Sequence, residues 1–125
     1  MEHKVIQSLA KVSIDKGMFR QWHQKFLSAI GQVKAVYADL IVELVKEIDL
    51  GKPIEKVLDD MESSRVDWLE MSHEVYKVLI DKAEGEAYDK IKMISSGAGG
   101  KAYATMYKWL TDVSGLGLME QTRRL

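Results

Sequence analysis

The chain has 125 residues, a length that suits one domain. Its apolar fraction of 46% and charged fraction of 30% are those of an ordinary globular protein, and its net charge of -1 offers no large basic footprint for nucleic acid. Because the sequence contains no cysteine, disulfides, zinc ribbons and thiol catalysis are excluded.

The first half of the chain shows helical periodicity. Apolar residues recur at intervals of three and four in three successive segments, which are separated by Gly17 and Gly31 and closed by Gly51 and Pro53. This spacing places the apolar residues of each segment on one face of a helix. The three stripes are Val5, Leu9 and Val12; Phe19, Trp22, Phe26 and Ile30; and Tyr37, Leu40, Ile41, Leu44, Val45 and Ile48.

The second half continues the same pattern. Pro53 suits the first turn of a helix, because its missing amide hydrogen has no partner there. Ser63 or Ser64 is predicted to cap a helix or interrupt the helical pattern. The pattern resumes from Asp67, and Gly85 ends or kinks the next helix. The stripes are Ile54, Val57, Leu58 and Met61; Leu69, Val75, Tyr76, Leu79 and Ile80; Ala87, Ile91 and Ile94; and Tyr103, Met106, Tyr107 and Leu110.

No segment alternates between apolar and polar residues in the way that a strand bounded by hairpin turns would. The sequence therefore predicts an all-α fold, a compact bundle of about six to eight short helices that forms a single domain over residues 1–125. No apolar run approaches the roughly 20 residues that span a bilayer, and no secretory signal is visible at residues 1–17. We therefore predict an intracellular, cytoplasmic protein without a transmembrane segment.

The stretch "SSGAGGKA" at residues 95–102 invites comparison with a P-loop, G-x-x-x-x-G-K-[ST]. Gly100 and Lys101 match the last glycine and the lysine. However, Ser95 stands where the first glycine belongs, and Ala102 replaces the hydroxyl that holds magnesium. A P-loop also follows a buried strand of a parallel sheet, for which this chain shows no pattern. We therefore interpret the stretch as a corner between two helices.

The remaining polar residues suggest no catalytic, cofactor-binding or metal-binding site. Glu70 and His73 have the Glu-x-x-His spacing of di-iron bundles, but the second such pair is missing, so a solvated face explains them better. His23 is interpreted as a surface histidine beside the core residue Trp22. Helix capping explains the acidic cluster at residues 59–62.

Three segments resemble the N-terminal capsid lobe of Gag proteins from LTR retrotransposons, and more closely the Copia-type Gag-like polyproteins. "FRQWHQKFLSAI" resembles the early aromatic helix of that family, and "SHEVYKVLIDKAEGEAYDKI" resembles a helix pair in which an apolar run leads to Gly-x-Ala, here Gly85 and Ala87. "GGKAYATMYKWL" resembles the following helix, with Tyr103 at the position of its usual tryptophan. The resemblance covers residues 19–30 and 72–125.

The resemblance implies a structural, self-associating protein rather than an enzyme. The sequence departs from the family pattern because the cysteine-rich RNA-binding knuckle is absent, so the resemblance implies a fragment or a reduced relative of a longer polyprotein. No cofactor is expected. The partner would be a protein, namely further copies of the chain in a homo-oligomer. The alternative is a small helical adaptor or accessory subunit of a larger protein complex, with no capsid ancestry.

Several bulky apolar residues lie off the predicted core stripes near the end of the sequence. Trp109 is about 120° from Tyr103 around its helix. Leu116, Leu118 and Met119 follow in a segment broken by glycines. An exposed apolar patch of this kind is typical of an association surface. Trp109, Leu116, Leu118 and Met119 are therefore the predicted interface residues.

Overall fold

A computed structural model describes residues 3–12 and 15–111 of the chain. These residues form seven α-helices and no β-strand, which confirms the predicted all-α bundle. None of these helices is both long and apolar enough to cross a bilayer. The helices are α1 (Lys4–Gln7), α2 (Lys16–Val33), α3 (Ala35–Asp49), α4 (Ile54–Ser64), α5 (Trp68–Lys82), α6 (Gly85–Lys92) and α7 (Gly99–Thr111).

Helix α7 lies at the centre of the bundle. It contacts every helix from α2 to α6, and its contact with α5 is the most extensive between any two helices described. Small residues allow this central position, because they let neighbouring helices approach α7 closely. The buried small residues are Gly99, Gly100, Ala102 and Ala104. Tyr103 fills the space between them and has no solvent-exposed surface. The helices therefore share one hydrophobic core built around α7.

Most of the predicted helix boundaries are confirmed. Gly51 follows α3 with a φ of 86°, a conformation that glycine adopts without steric cost. Pro53 immediately precedes the first residue of α4, which ends at Ser64 as predicted. Asp67 is the N-cap residue of α5.

The prediction that Val5, Leu9 and Val12 share one face of a helix is wrong. Helix α1 ends at Gln7, and Leu9 and Val12 are buried although they lie outside any helix. Long-range hydrogen bonds hold this segment instead. The backbone N–H of Val12 donates to the carbonyl of Lys82 over 2.8 Å, and the indole N–H of Trp22 donates to the carbonyl of Ala10 over 2.8 Å. These tertiary bonds replace the helical bonds that the spacing predicted.

Candidate interaction surface

The corner between α4 and α5 exposes two large apolar side chains. Val66 is 96% exposed and Leu69 is 66% exposed. The prediction that Leu69 belongs to the core is therefore wrong. The core residue at this point is Trp68 instead. The buried face of α5 contains Trp68, Met71 and Val75, which recur at i, i+3 and i+7. This spacing was present in the sequence, so it could have identified the correct face of the helix.

Leu69 forms one wall of a surface groove of about 340 Å³ between α4, α5 and the start of α7. The buried residues Leu58 and Trp68 supply apolar surface to it. On the α4 side the groove is lined by Glu55, Asp59 and Glu62. We call this feature, with its apolar floor and its carboxylate rim, the acidic groove.

The carboxylates of the acidic groove are exposed and share one stripe of α4, since they occupy positions i, i+4 and i+7. Glu55 has an ion-pair partner, Lys101, whose Nζ lies 3.6 Å from its Oε1. Asp59 and Glu62 form no ion pair with any described residue. The sequence predicted that helix capping explains this acidic cluster, but neither Asp59 nor Glu62 caps a described helix. Their charges are instead available to a partner.

A second polar feature lies inside the bundle, where α2 meets α7. His23 is only 7% exposed, so the prediction of a surface histidine is wrong. Its Nδ1 lies 2.5 Å from the hydroxyl of Tyr103, and its ring packs 5.3 Å from the ring of Tyr107, measured between centroids. The signal was again in the sequence, because His23 continues the buried stripe of Phe19, Phe26 and Ile30.

Burial lowers the pKa of His23 to about 4, since the interior disfavours the charged ring. The carboxylate of Asp49 opposes this shift, and the guanidinium of Arg20 adds to it. A neutral ring can take part in this hydrogen bond, since its Nδ1 either accepts the hydroxyl proton of Tyr103 or donates to the hydroxyl oxygen, according to the tautomer. His23 is therefore a neutral hydrogen-bonding residue of the core at neutral pH.

The glycine-rich stretch forms the predicted corner between two helices, α6 and α7. Gly97 takes a φ of 86° in the turn, and Gly99 begins α7. The N–H of Gly100 donates to Oγ of Ser72 over 3.2 Å. Both Gly99 and Gly100 are buried, and the N–H of Gly100 is directed at α5 rather than at an open phosphate-sized cradle. The glycines serve helix packing.

We expect no specific binding of Mg-ATP to this corner. Calorimetric titration of the chain with Mg-ATP should give no saturable heat, because the corner lacks the magnesium-binding hydroxyl and the first glycine of a P-loop, and the N–H of Gly100 is already bonded to Ser72. The control is the Lys101→Ala variant, which should behave as the wild type does. A micromolar affinity that this substitution abolishes would contradict the prediction.

Glu70 and His73 lie on an exposed face of α5, as predicted. Glu70 accepts a hydrogen bond from Nζ of Lys34 over 2.7 Å, and this bond lowers the pKa of its carboxyl group. Within residues 3–12 and 15–111, no three histidine or carboxylate side chains are grouped closely enough to hold a metal ion.

The predicted interface residues fall in two places. Trp109 is half-buried and packs against the core, while Nζ of Lys90 lies 4.8 Å from the centre of its ring. This geometry is that of a cation–π contact. Leu116, Leu118 and Met119 lie outside the described residues. An interface at residues 109–119 therefore stays a prediction.

Comparisons with known proteins returned no match to this chain among protein-family models, curated proteins or solved structures. The likeness to Gag-like capsid lobes therefore rests on the three sequence segments alone, and the function has to be argued from the surface of the molecule.

Proposed function

We propose that this chain is an intracellular, non-catalytic assembly domain of the Gag-like capsid kind, which works by associating with further copies of itself. The observation that supports the proposal most strongly is the exposed apolar corner of Val66 and Leu69 beside the acidic groove. Large apolar side chains clustered at one place on a surface are typical of protein–protein interfaces. The sequence resemblance favours a second copy as the partner.

The proposal predicts oligomers that depend on the corner. We expect the average mass measured by light scattering to rise with protein concentration for the wild type. The Leu69→Asp variant should stay monomeric over the same range, because a carboxylate in a desolvated contact is costly. Since Leu69 is exposed, its replacement should leave the thermal unfolding temperature nearly unchanged.

The chain offers a matched control. Leu50 is a leucine of nearly equal exposure, 65% against 66%, and it follows α3 away from the acidic groove. The Leu50→Asp variant should associate as the wild type does. A wild type that stays monomeric at every concentration would contradict the proposal, and specific co-purification with an unrelated protein would then favour the adaptor function.

A further inference from the structure

Another cavity lies where α2, α3 and the last turn of α7 meet, at the opposite end of α7 from the acidic groove. Its volume is about 390 Å³, within the range of roughly 300–1,000 Å³ that is usual for small-molecule sites. On α3 its lining residues are Val42, Val45 and Asp49, at i, i+3 and i+7, and on α7 they are Tyr107 and Thr111, at i and i+4. Packed helices therefore form this cavity, which we call the cleft.

The cleft reaches a ring nitrogen of the core. His23 lines it although only 7% of this residue is exposed. Its Nδ1 is bonded to the hydroxyl of Tyr103, whereas Nε2 forms no hydrogen bond with any described residue. Nε2 is nevertheless not sealed from solvent. A hydrogen-bond partner for Nε2 therefore has to enter through the cleft.

The surroundings of Tyr103 determine what Nε2 offers. The hydroxyl of Tyr103 belongs to a fully buried residue and has no other hydrogen-bond partner among the described residues. A buried hydroxyl that finds no acceptor for its proton is costly, so this hydroxyl donates to Nδ1 and the neutral ring carries its own proton at Nε2. His23 thus presents an N–H donor to the cleft.

Two opposite charges accompany this donor. The guanidinium of Arg20 on α2 and the carboxylate of Asp49 on α3 both line the cleft. The carboxylate raises the pKa of His23 and the guanidinium lowers it, which places both charges near its ring. Neither Arg20 nor Asp49 forms an ion pair with any described residue. The hydroxyl of Tyr107 lies 3.0 Å from each carboxylate oxygen of Asp49 and holds this group at the cleft.

These features together restrict the ligand. A simple anion would be repelled by Asp49, and a simple cation would be repelled by Arg20. An uncharged apolar ligand would contact the wall, where Val42 is 47% exposed, but would leave both charges desolvated without a partner. A ligand that carries both charges beside a small apolar group matches the guanidinium, the carboxylate and the apolar wall at once.

We infer that the cleft binds an apolar α-amino acid in its zwitterionic form. The carboxylate of the ligand pairs with Arg20 and accepts the N–H of His23, and its ammonium group pairs with Asp49. Its side chain lies against Leu27 and Val42, which line the cleft from α2 and α3. This binding function goes beyond the proposed assembly function and does not depend on it.

L-leucine and two of its fragments test the inference on the full chain. Isocaproate is leucine without its amino group, and isoamylamine is leucine without its carboxylate. Ligand-observed NMR, which detects weak binding, should show saturable binding of L-leucine. Each fragment should bind at least about ten-fold more weakly, because one charge-assisted contact is lost. Absence of leucine binding at millimolar concentration, or fragments that bind as tightly as leucine, would overturn the inference.

Two substitutions assign the charged contacts. Arg20→Gln should weaken leucine binding at least about ten-fold without weakening isoamylamine, which has no carboxylate for Arg20 to bind. Asp49→Asn should likewise weaken leucine without weakening isocaproate. The controls Lys25→Gln and Asp39→Asn remove the same charges from exposed positions of α2 and α3 outside the cleft, and they should bind leucine as the wild type does. A substitution in the cleft that leaves leucine binding unchanged, or that weakens leucine and its matched fragment equally, would overturn the assigned site.

Discussion

Replacing Gly99 with alanine is expected to lower the free energy of unfolding by about 3 kcal/mol or more, the upper end of the range for overpacked sites. A Cβ atom at Gly99 would overlap the carbonyl oxygen of Ser72 and would lie 2.5 Å from the backbone nitrogen of Tyr76. Both atoms belong to the backbone of α5, so no side-chain rotation can relieve the clash. Helices α5 and α7 would have to separate, and with them the most extensive contact in the bundle.

Urea unfolding of Gly99→Ala and Gly31→Ala would measure this effect against a control. Gly31 lies in α2, and a Cβ atom there would be 3.4 Å from Cβ of Ala38, a tolerable contact. Alanine also favours the helix over glycine, so Gly31→Ala should change stability by less than about 1 kcal/mol and should tend to increase it. If Gly99→Ala were as stable as the wild type, α5 and α7 could not be packed as closely at Gly99 as described.

Acidification from pH 7 towards pH 4 is expected to destabilise the fold through His23 by about 3 kcal/mol in total. The pKa of His23 is about 4 in the folded chain, against an ordinary value of 6.5. Below pH 6.5 the unfolded chain therefore binds a proton that the folded chain does not. The contribution of His23 to the free energy of unfolding is fully present above pH 6.5. It falls as the pH drops from 6.5 to 4 and does not change further below pH 4.

The measurement is the free energy of unfolding at several pH values between 7 and 5, a range in which ordinary carboxylates stay mostly ionised. The wild type should lose about 2 kcal/mol over this range, and the His23→Gln variant should lose much less, although it starts from a lower stability. His73→Gln is the control, because His73 is exposed on α5, and its pH dependence should match that of the wild type. Equal slopes for the wild type and His23→Gln would show that His23 is not buried in a neutral state.

Periodicity predicted the fold class well because it reports which residues must leave water. The stripes from Phe19 to Ile30 and from Tyr37 to Ile48 are buried as predicted. Turn chemistry at Gly51 and Pro53 located the boundary between α3 and α4, since local backbone geometry alone decides it. The glycine-rich corner was also identified, because the P-loop motif fails at two defined positions.

Features that depend on distant partners could not be predicted in this way. The segment at residues 9–12 follows a helical spacing, yet it bonds to the end of α5 and leaves the helix. His23 shares the helical spacing of Phe19 and Ile30, but its hydrogen-bond partner inside the core, Tyr103, lies 80 positions away, and no local pattern identifies that partner. The acidic groove likewise requires α4, α5 and α7 to meet, and no single segment of sequence contains it.

The way in which residues 7–12 are held has a consequence for how the chain folds during synthesis. Lys11 donates from Nζ to the carbonyl of Asp81, 70 positions later, and Lys82 donates from its buried Nζ to the carbonyl of Gln7, 75 positions earlier. A ribosome that adds about 5–20 residues per second needs roughly 4–14 s to cover that interval. The segment is therefore made well before the residues that hold it, and Leu9 and Val12 join the core only after α5 has emerged.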